Sequence, residues 1–405
     1  MTFLKRVRLG TIVLLLVLVS AYLSFEYGKK VALASLTVAG QDKADMSLYW
    51  KVWSLLANDY LDQEAIDPQK MIYGSISGLT AALDDPYTSF FPPTENTLSK
   101  EDLSGEFAGV GIQLGFIDKT LAVMSPLPDN PAVKAGIKAG DLIIHIKDEA
   151  KEVDKDTVGM NLVEAVNLIR GQKDTKVTLT ILREKEAKPI EFSLVRQTIS
   201  VPSVELSWVG NDKRIGVLRV NRFGDKTLDE WNKGVSQMVT AKARGVVLDL
   251  RNNPGGYLQR AIDLGSEFIT DGVIVQQQGK TQTESFSVDR VGRLVGLPLV
   301  VLINKGSASA SEILAGALSE RIGAKLVGEK SFGKGTVQEV EELPGGAGIH
   351  ITIAKRLLPS GKNIHGVGIE PDVKVEYLVN DKDPKADNQL DRAIEVLNGV
   401  VTAWK

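Results

Sequence analysis

The 405-residue chain contains no cysteine, which excludes disulfides and thiolate metal sites. Histidine is nearly as scarce: His145, His350 and His365 are the only three. No His-Glu-x-x-His pair or comparable ligand spacing exists, which argues against a metallopeptidase, and neither metal nor cofactor is expected. A Gly-x-Ser-x-Gly elbow is also missing, so a Ser-His-Asp hydrolase lacks its usual nucleophile turn. Positive charge is not in excess, with 48 Lys and Arg against 51 Asp and Glu. That removes the basic footprint of a nucleic-acid-binding protein. Internal repeats and low-complexity tracts are absent. What remains, at 43% hydrophobic and 24% charged residues, is an ordinary globular composition. The length calls for two or three domains.

One long apolar run is present, residues 9–25, behind Lys5, Arg6 and Arg8. It sits at the short end of the roughly 17–25 residues that span a bilayer. The basic flank orients it with the amino terminus in the cytoplasm and the rest exported. Ala32–Leu33–Ala34 resembles a signal-peptide cleavage site, but Glu26, Lys29 and Lys30 would make the cleavable region unusually long. A retained membrane anchor within residues 1–30 is therefore the preferred expectation, placing the protein on the exported side of the cytoplasmic membrane.

Residues 42–103 read as helical. Leu48, Val52, Leu55 and Leu56 share one face, as do Ile72, Ile76 and Leu79, and Asp84–Asp85–Pro86 ends the second helix. This region is expected to pack and to carry no chemistry. Residues 104–195 change to short β-type runs around one helix at 161–170. Residues 200–380 alternate strand and helix, with buried strands at 214–220, 245–250 and 298–304 and helices at 226–241, 257–268 and 309–322. Such alternation argues an α/β core. A last amphipathic helix falls within 385–405.

The run Phe107–Ala108–Gly109–Val110–Gly111–Ile112 is a glycine-bearing loop entering a strand. Its backbone N–H groups can face a carboxylate while the strand edge accepts a peptide. Followed by Pro131–Ala132–Val133–Lys134–Ala135–Gly136 and Gly140–Asp141, segment 104–195 resembles a PDZ domain. The resemblance implies that Gly109, Val110, Gly111 and Ile112 bind a free polypeptide carboxyl terminus, with residues 162–170 as the groove helix. Arg170, in the last turn, suits the negative end of that helix as a cap. A second reading makes it a bridge that couples this domain to the α/β core.

The densest chemistry lies in Asn304–Lys305–Gly306–Ser307–Ala308–Ser309–Ala310–Ser311–Glu312, between an apolar strand and an amphipathic helix. A small-residue turn there places a serine hydroxyl at a helix amino terminus, beside unpaired N–H groups suited to an oxyanion; three serines competing to cap the helix is the plain alternative. A second run, Gly328–Glu329–Lys330–Ser331–Phe332–Gly333–Lys334–Gly335–Thr336–Val337–Gln338, mimics a phosphate-binding loop, but Gly335 and a β-type run follow the lysine where Ser or Thr and a helix are required. Read instead as chemistry, Lys334 is the base that a serine hydroxyl needs. A free lysine is only about 0.04% neutral at pH 7, and lowering its pKa to near 7 costs about 4.6 kcal/mol, so the site must be largely dry. Gln338 can orient the amine without adding negative charge.

Together these motifs resemble the carboxyl-terminal processing protease family, whose signature is a serine in a Ser-Ala-Ser-Ala-Ser-Glu run, a lysine 25 residues later and a glutamine four beyond. Ser309, Lys334 and Gln338 have that spacing, and the resemblance runs from Ser47 to Asp372, through Gly366–Val367–Gly368–Ile369–Glu370–Pro371–Asp372. It implies a crotonase-like α/β core with an inserted PDZ domain, endoproteolysis beside a carboxyl terminus, frequent homodimers, and an adaptor or regulatory peptide as a further partner. A second family motif, Asp249–Leu250–Arg251–Asn252–Asn253–Pro254–Gly255–Gly256, implies an oxyanion hole from Gly255 or Gly256 and the backbone of Ala310. The competing reading is a non-catalytic PDZ scaffold on a protease-like core.

Overall fold

Apolar residues three and four apart build two helices, α1 (Ser47–Asp59) and α2 (Pro68–Ala81). The computed structural model describes residues 44–403 except 211, 379–382 and 384–385, together with residues 19, 20, 22 and 24. The basic flank, most of the apolar run and the Ala32–Leu33–Ala34 site lie outside the described residues, among which no helix is long and apolar enough to cross a membrane. The chain divides into two compact units, one up to Ser75 and one from Ile76 onward.

In the second unit, β1 (Ser89–Phe91) leads into α3 (Pro93–Ser104). Proline opens α3 where a missing N–H costs nothing, and Gly105 closes it at φ 71°. There follow β2 (Glu106–Gly109), β3 (Ile112–Ile117), β4 (Thr120–Pro126), α4 (Pro131–Ala135), β5 (Leu142–Asp148), β6 (Val153–Asp156), α5 (Leu162–Ile169), β7 (Lys176–Leu182), β8 (Ile190–Val195) and β9 (Gln197–Ser200). Strands β3-β4-β5-β7-β8 form one sheet with β6 on β5, and β2 pairs with β9. Alternate residues of β7, Val177, Leu179 and Ile181, are fully buried among Ile143, Ile146, Ala165 and Ile169. Asn161 caps α5 by accepting the Glu164 N–H at 2.9 Å.

The remaining elements are β10 (Val204–Val209), β11 (Ile215–Val220), α6 (Thr227–Thr240), β12 (Gly245–Asp249), α7 (Leu258–Gly265), β13 (Val273–Gly279), β14 (Thr283–Ser287), β15 (Leu299–Ile303), α8 (Ala310–Ile322), β16 (Lys325–Gly328), β17 (Thr336–Glu342), β18 (Gly348–Leu357), β19 (Val373–Lys374) and α9 (Asn388–Ala403). Strands β11, β12, β15, β16 and β19 run parallel, with β10 antiparallel at the edge. Both faces of this sheet are covered, which is why its central strands β12 and β15 are almost wholly apolar. Val246, Leu248, Val301 and Ile303 pack toward α6, α7 and α8; Val247, Val300 and Leu302 pack toward Ala393 and Leu397 of α9. A second, antiparallel sheet has the order β1-β18-β13-β14, with β17 also on β18. The α/β core with an inserted PDZ domain and helices before it is the architecture expected.

One expectation fails. Residues 42–103 are not purely helical packing, because β1 pairs with β18, setting Ser89 opposite His350 and Phe91 opposite Gly348. A three-residue strand is too short to show a period of two.

Candidate active site

Strand β15 ends in a tight turn before α8, and Ser309 stands at its tip, 8% exposed. Its backbone has φ 55° and ψ −114°, a combination that suits glycine and costs a side-chain-bearing residue about 1–3 kcal/mol. The Ser311 N–H donates to the Ala308 carbonyl at 3.1 Å and closes the turn around it. Such strain is held only where the surroundings over-determine it, and here they do.

Glu312, fully buried in the first turn of α8, is the hub. Its Oε2 accepts the N–H groups of Ser309 and Lys334, both at 2.9 Å, and its Oε1 accepts the Gly333 N–H at 2.7 Å and the Ser331 hydroxyl at 2.6 Å. One carboxylate oxygen therefore pins the backbones of Ser309 and Lys334 to the same point. The sequence placed Glu312 in the motif but gave it no role; an acidic residue three positions after a serine reads as half of a capping box.

Lys334 is half-buried. Burial lowers the pKa of its amine, the cationic Arg356 lowers it further, and Asp85 acts in the opposite sense. Its Nζ lies over the Tyr87 ring, 4.9 Å from the centroid, and among the described residues no hydrogen bond joins it to Ser309. Tyr87 and Asp85 come from the segment before β1, so a region expected to be inert borders the site. The two glycines beside Lys334 do not serve the amine directly. A Cβ on Gly333 would meet the Gly368 N at 2.9 Å and one on Gly335 the His365 N at 2.6 Å, so both admit the turn carrying Gly366–Val367–Gly368–Ile369.

Gln338 does not reach the lysine by a hydrogen bond. Its Nε2 donates to the hydroxyls of Thr336 at 2.9 Å and Thr352 at 3.2 Å, and the amide is fixed on the sheet beside Lys334. His350 stacks on Phe91 at 4.4 Å and has its pKa lowered by burial and by Lys334. His365 lies edge-on to Tyr87, and His145 bonds Asp154 and Asp156 in the PDZ domain. Among the described residues no imidazole bonds a serine hydroxyl, which removes the geometric basis for a Ser-His-Asp site.

The turn 249–256 faces Ser309. A Cβ on Gly255 would lie 2.8 Å from the Ser309 Cβ and 3.0 Å from the Ala310 N, and one on Gly256 only 2.2 Å from the Phe223 carbonyl oxygen. Only glycine fits either position. The Gly255 N–H is already donated to Asn253 Oδ1 at 2.9 Å. Among the described residues the N–H groups of Gly256 and Ala310 have no partner, leaving those two as free donors; Ala310, first residue of α8, has no helical acceptor. Arg251, a motif residue with no role expected of it, braces this turn. It is buried between Asp249 and Asp387, with Nη2 2.7 Å from each, and its Nη1 also reaches Gln389 at 3.0 Å.

In the PDZ domain, Gly109, Val110, Gly111 and Ile112 line a groove with Leu162, Val166 and Ile169 of α5. The Arg170 backbone is the C-cap of α5, its N–H donating to the Val166 carbonyl at 2.8 Å, but its side chain does not donate to the last carbonyls of the helix, contrary to the preferred expectation. Lys151 does so, donating to the carbonyls of Asn167 at 2.7 Å and of Arg170, while Arg196 donates to the Ile169 carbonyl at 2.7 Å. That frees the Arg170 guanidinium to lie 4.0 Å over the Phe107 ring and to approach Glu101 at 3.4 Å and Asp102 at 3.6 Å. Helix α3, which carries both acids, is fixed to the core through Lys100 to Glu342 and Arg222 to the Asp102 carbonyl.

Known proteins share this organisation. The family model for peptidase family S41 matches residues 214–375 and that for the PDZ domain residues 97–182. A carboxy-terminal-processing protease of Bartonella bacilliformis is 36% identical over 83% of this chain and 85% of its own length. A carboxyl-terminal-processing protease of a Synechocystis species is 36% identical over 94% and 89%. Among solved structures, a photosystem II D1 C-terminal processing protease is 29% identical with a TM-score of 0.51, covering 87% of this chain and 92% of that one. With the site's turn, carboxylate hub and half-buried lysine in view, the chain belongs to the carboxyl-terminal processing proteases, serine peptidases of family S41.

Proposed function

We propose that the chain is a serine endopeptidase that cuts polypeptides near their carboxyl termini, with Ser309 as nucleophile and Lys334 as general base. The observation that carries this reading is Glu312 Oε2, which holds the backbones of both residues while burial and Arg356 favour the neutral amine. Lys334 Nζ leaves the Tyr87 ring to take the Ser309 proton as Oγ attacks the scissile carbonyl carbon. The N–H groups of Gly256 and Ala310 receive the oxyanion. The protonated amine then gives its proton to the departing amino group, and water releases the acyl enzyme. Gln338, held by Thr336 and Thr352, adds no negative charge at its own position beside Lys334.

The PDZ groove supports capture of an apolar carboxyl terminus by β-addition along β3, and the Arg170 contacts with α3 support coupling of that event to the core. Exposed apolar residues on α1, among them Trp50, Val52 and Leu55, support a homodimer, an adaptor being the other partner class. The basic flank and apolar run support an anchored position on the exported side, which amino-terminal sequencing of the mature protein tests. For the chemistry, an unstructured protein with an apolar tail is incubated with wild type, Ser309→Ala and Lys334→Ala. Cleavage by wild type alone is expected; equal behaviour of all three would leave a peptide-binding scaffold.

A further inference from the structure

Arg356 is the most anomalous charge in the core. It lies on β18, is 7% exposed, and its Nε and Nη1 are buried without any hydrogen-bond partner. Among the described residues it has no ion pair, although a buried charge is ordinarily matched by an opposite one because desolvating it alone is costly. Its neighbours on the site side are fixed by the sheet. The Arg356 N–H donates to the Gly335 carbonyl at 2.9 Å, one residue from Lys334, and the same face of β18 carries Thr352, which holds Gln338, and His350. An unpaired buried cation is retained at a cost to the fold, and strongly perturbed buried charges cluster at functional sites.

We propose that Arg356 is a positioning residue for the reaction: a buried cation, deliberately left without a carboxylate, that keeps the Lys334 amine uncharged and so able to act as base. This rests on Lys334 being the base. Arg356 does not touch the substrate; it acts through the field it exerts on the amine. The other titratable groups around Lys334 are Asp85 and Tyr87 from the segment before β1 and His350 from β18, with Glu312 of α8 on the Lys334 backbone N–H and His365, from the turn after β18, against Tyr87. Asp85 pulls the amine toward its charged form, and burial and Lys334 lower the pKa of His350, so Arg356 is the cation that offsets Asp85. Burial lowers its own pKa to about 10, which still leaves it charged at neutral pH.

The test is the pH profile of kcat/KM for wild type, Arg356→Met, Arg356→Gln and Arg356→Lys on the apolar-tailed substrate, with melting temperatures for each. Removing the cation raises the Lys334 pKa, so the acid limb of the Met and Gln profiles moves about one pH unit or more upward, with activity recovering at alkaline pH. The Lys variant keeps the wild-type limb. Loss of an unpaired buried charge leaves the Met variant at least as heat-stable as wild type. An unmoved acid limb in both neutral variants would overturn the proposal, as would their failure at every pH with a lowered melting temperature, the mark of a merely structural arginine. Activity surviving in Lys334→Ala would instead end the reading of Lys334 as base, a separate outcome.

Discussion

Replacing Glu312 by glutamine changes one oxygen to an amide and little else in shape, yet the geometry leaves that amide no acceptable orientation. With the NH2 in place of Oε2, it faces the N–H groups of both Ser309 and Lys334. With the NH2 in place of Oε1, it faces the Gly333 N–H and asks the Ser331 hydroxyl to turn and accept, although that oxygen already accepts the Ile369 N–H at 2.7 Å. The second orientation is cheaper. It strands at least one buried backbone N–H, about 1–3 kcal/mol, and weakens the remaining charge-assisted bonds by about 1 kcal/mol in total or more. The expected result is a fold less stable by about 2–4 kcal/mol, with Ser309 and Lys334 released from their common anchor. A displacement of about 1 Å between reacting groups costs about 100-fold in rate. Steady-state kinetics should therefore show kcat/KM reduced by about that factor, alongside a lower urea midpoint. Wild-type kcat/KM in a folded Glu312→Gln protein would refute the idea that this carboxylate aligns the pair.

Further outcomes follow from the same geometry. Ser309→Ala and Ser309→Gly should both be inactive, but the glycine variant should be more stable by about 1 kcal/mol because φ 55° suits it; calorimetry giving the opposite order would show that the turn is unstrained. Because the folded-state pKa of Lys334 lies below 10.5, the unfolded chain binds more protons between those two values, and stability should rise with pH across that window. Lys334→Met should flatten this rise in unfolding free energies measured against pH, and parallel curves would contradict it. Arg251→Met should cost about 3–5 kcal/mol by leaving Asp249 and Asp387 facing each other without their cation, seen as early proteolysis near α9. Arg170→Ala should remove activation by a PDZ-bound peptide, because it cuts the part-buried link from the groove to Glu101 and Asp102; unchanged activation would end the coupling.

What the sequence showed and what it hid divide along the range of the interactions involved. The α/β alternation was legible because a parallel sheet covered on both faces favours near-continuous apolar runs, which β15 and all of β12 but its terminal Asp249 supply. The Ser309 turn was legible because small residues between a strand and a helix leave few local structures open. By contrast, β1 is three residues long and exists through pairing with β18, some 260 positions away, so no local period announces it. With it come Tyr87 and Asp85, which meet Lys334 only because that pairing delivers them. Arg170 misled for a related reason. Its position in the last helical turn predicts a cap, but Lys151 from the β5–β6 turn and Arg196 from the junction of β8 with β9 occupy those carbonyls, and a side chain relieved of its local partner is free to act across a domain boundary. The same logic separates Gly255 from Gly256: sequence offers two equivalent donors, and the Asn253 side chain consumes one. The chemistry-bearing residue types are thus chosen locally, whereas the charge state of the lysine is set by groups that are remote in the chain, which is where substitutions should change pH dependence without altering the motif.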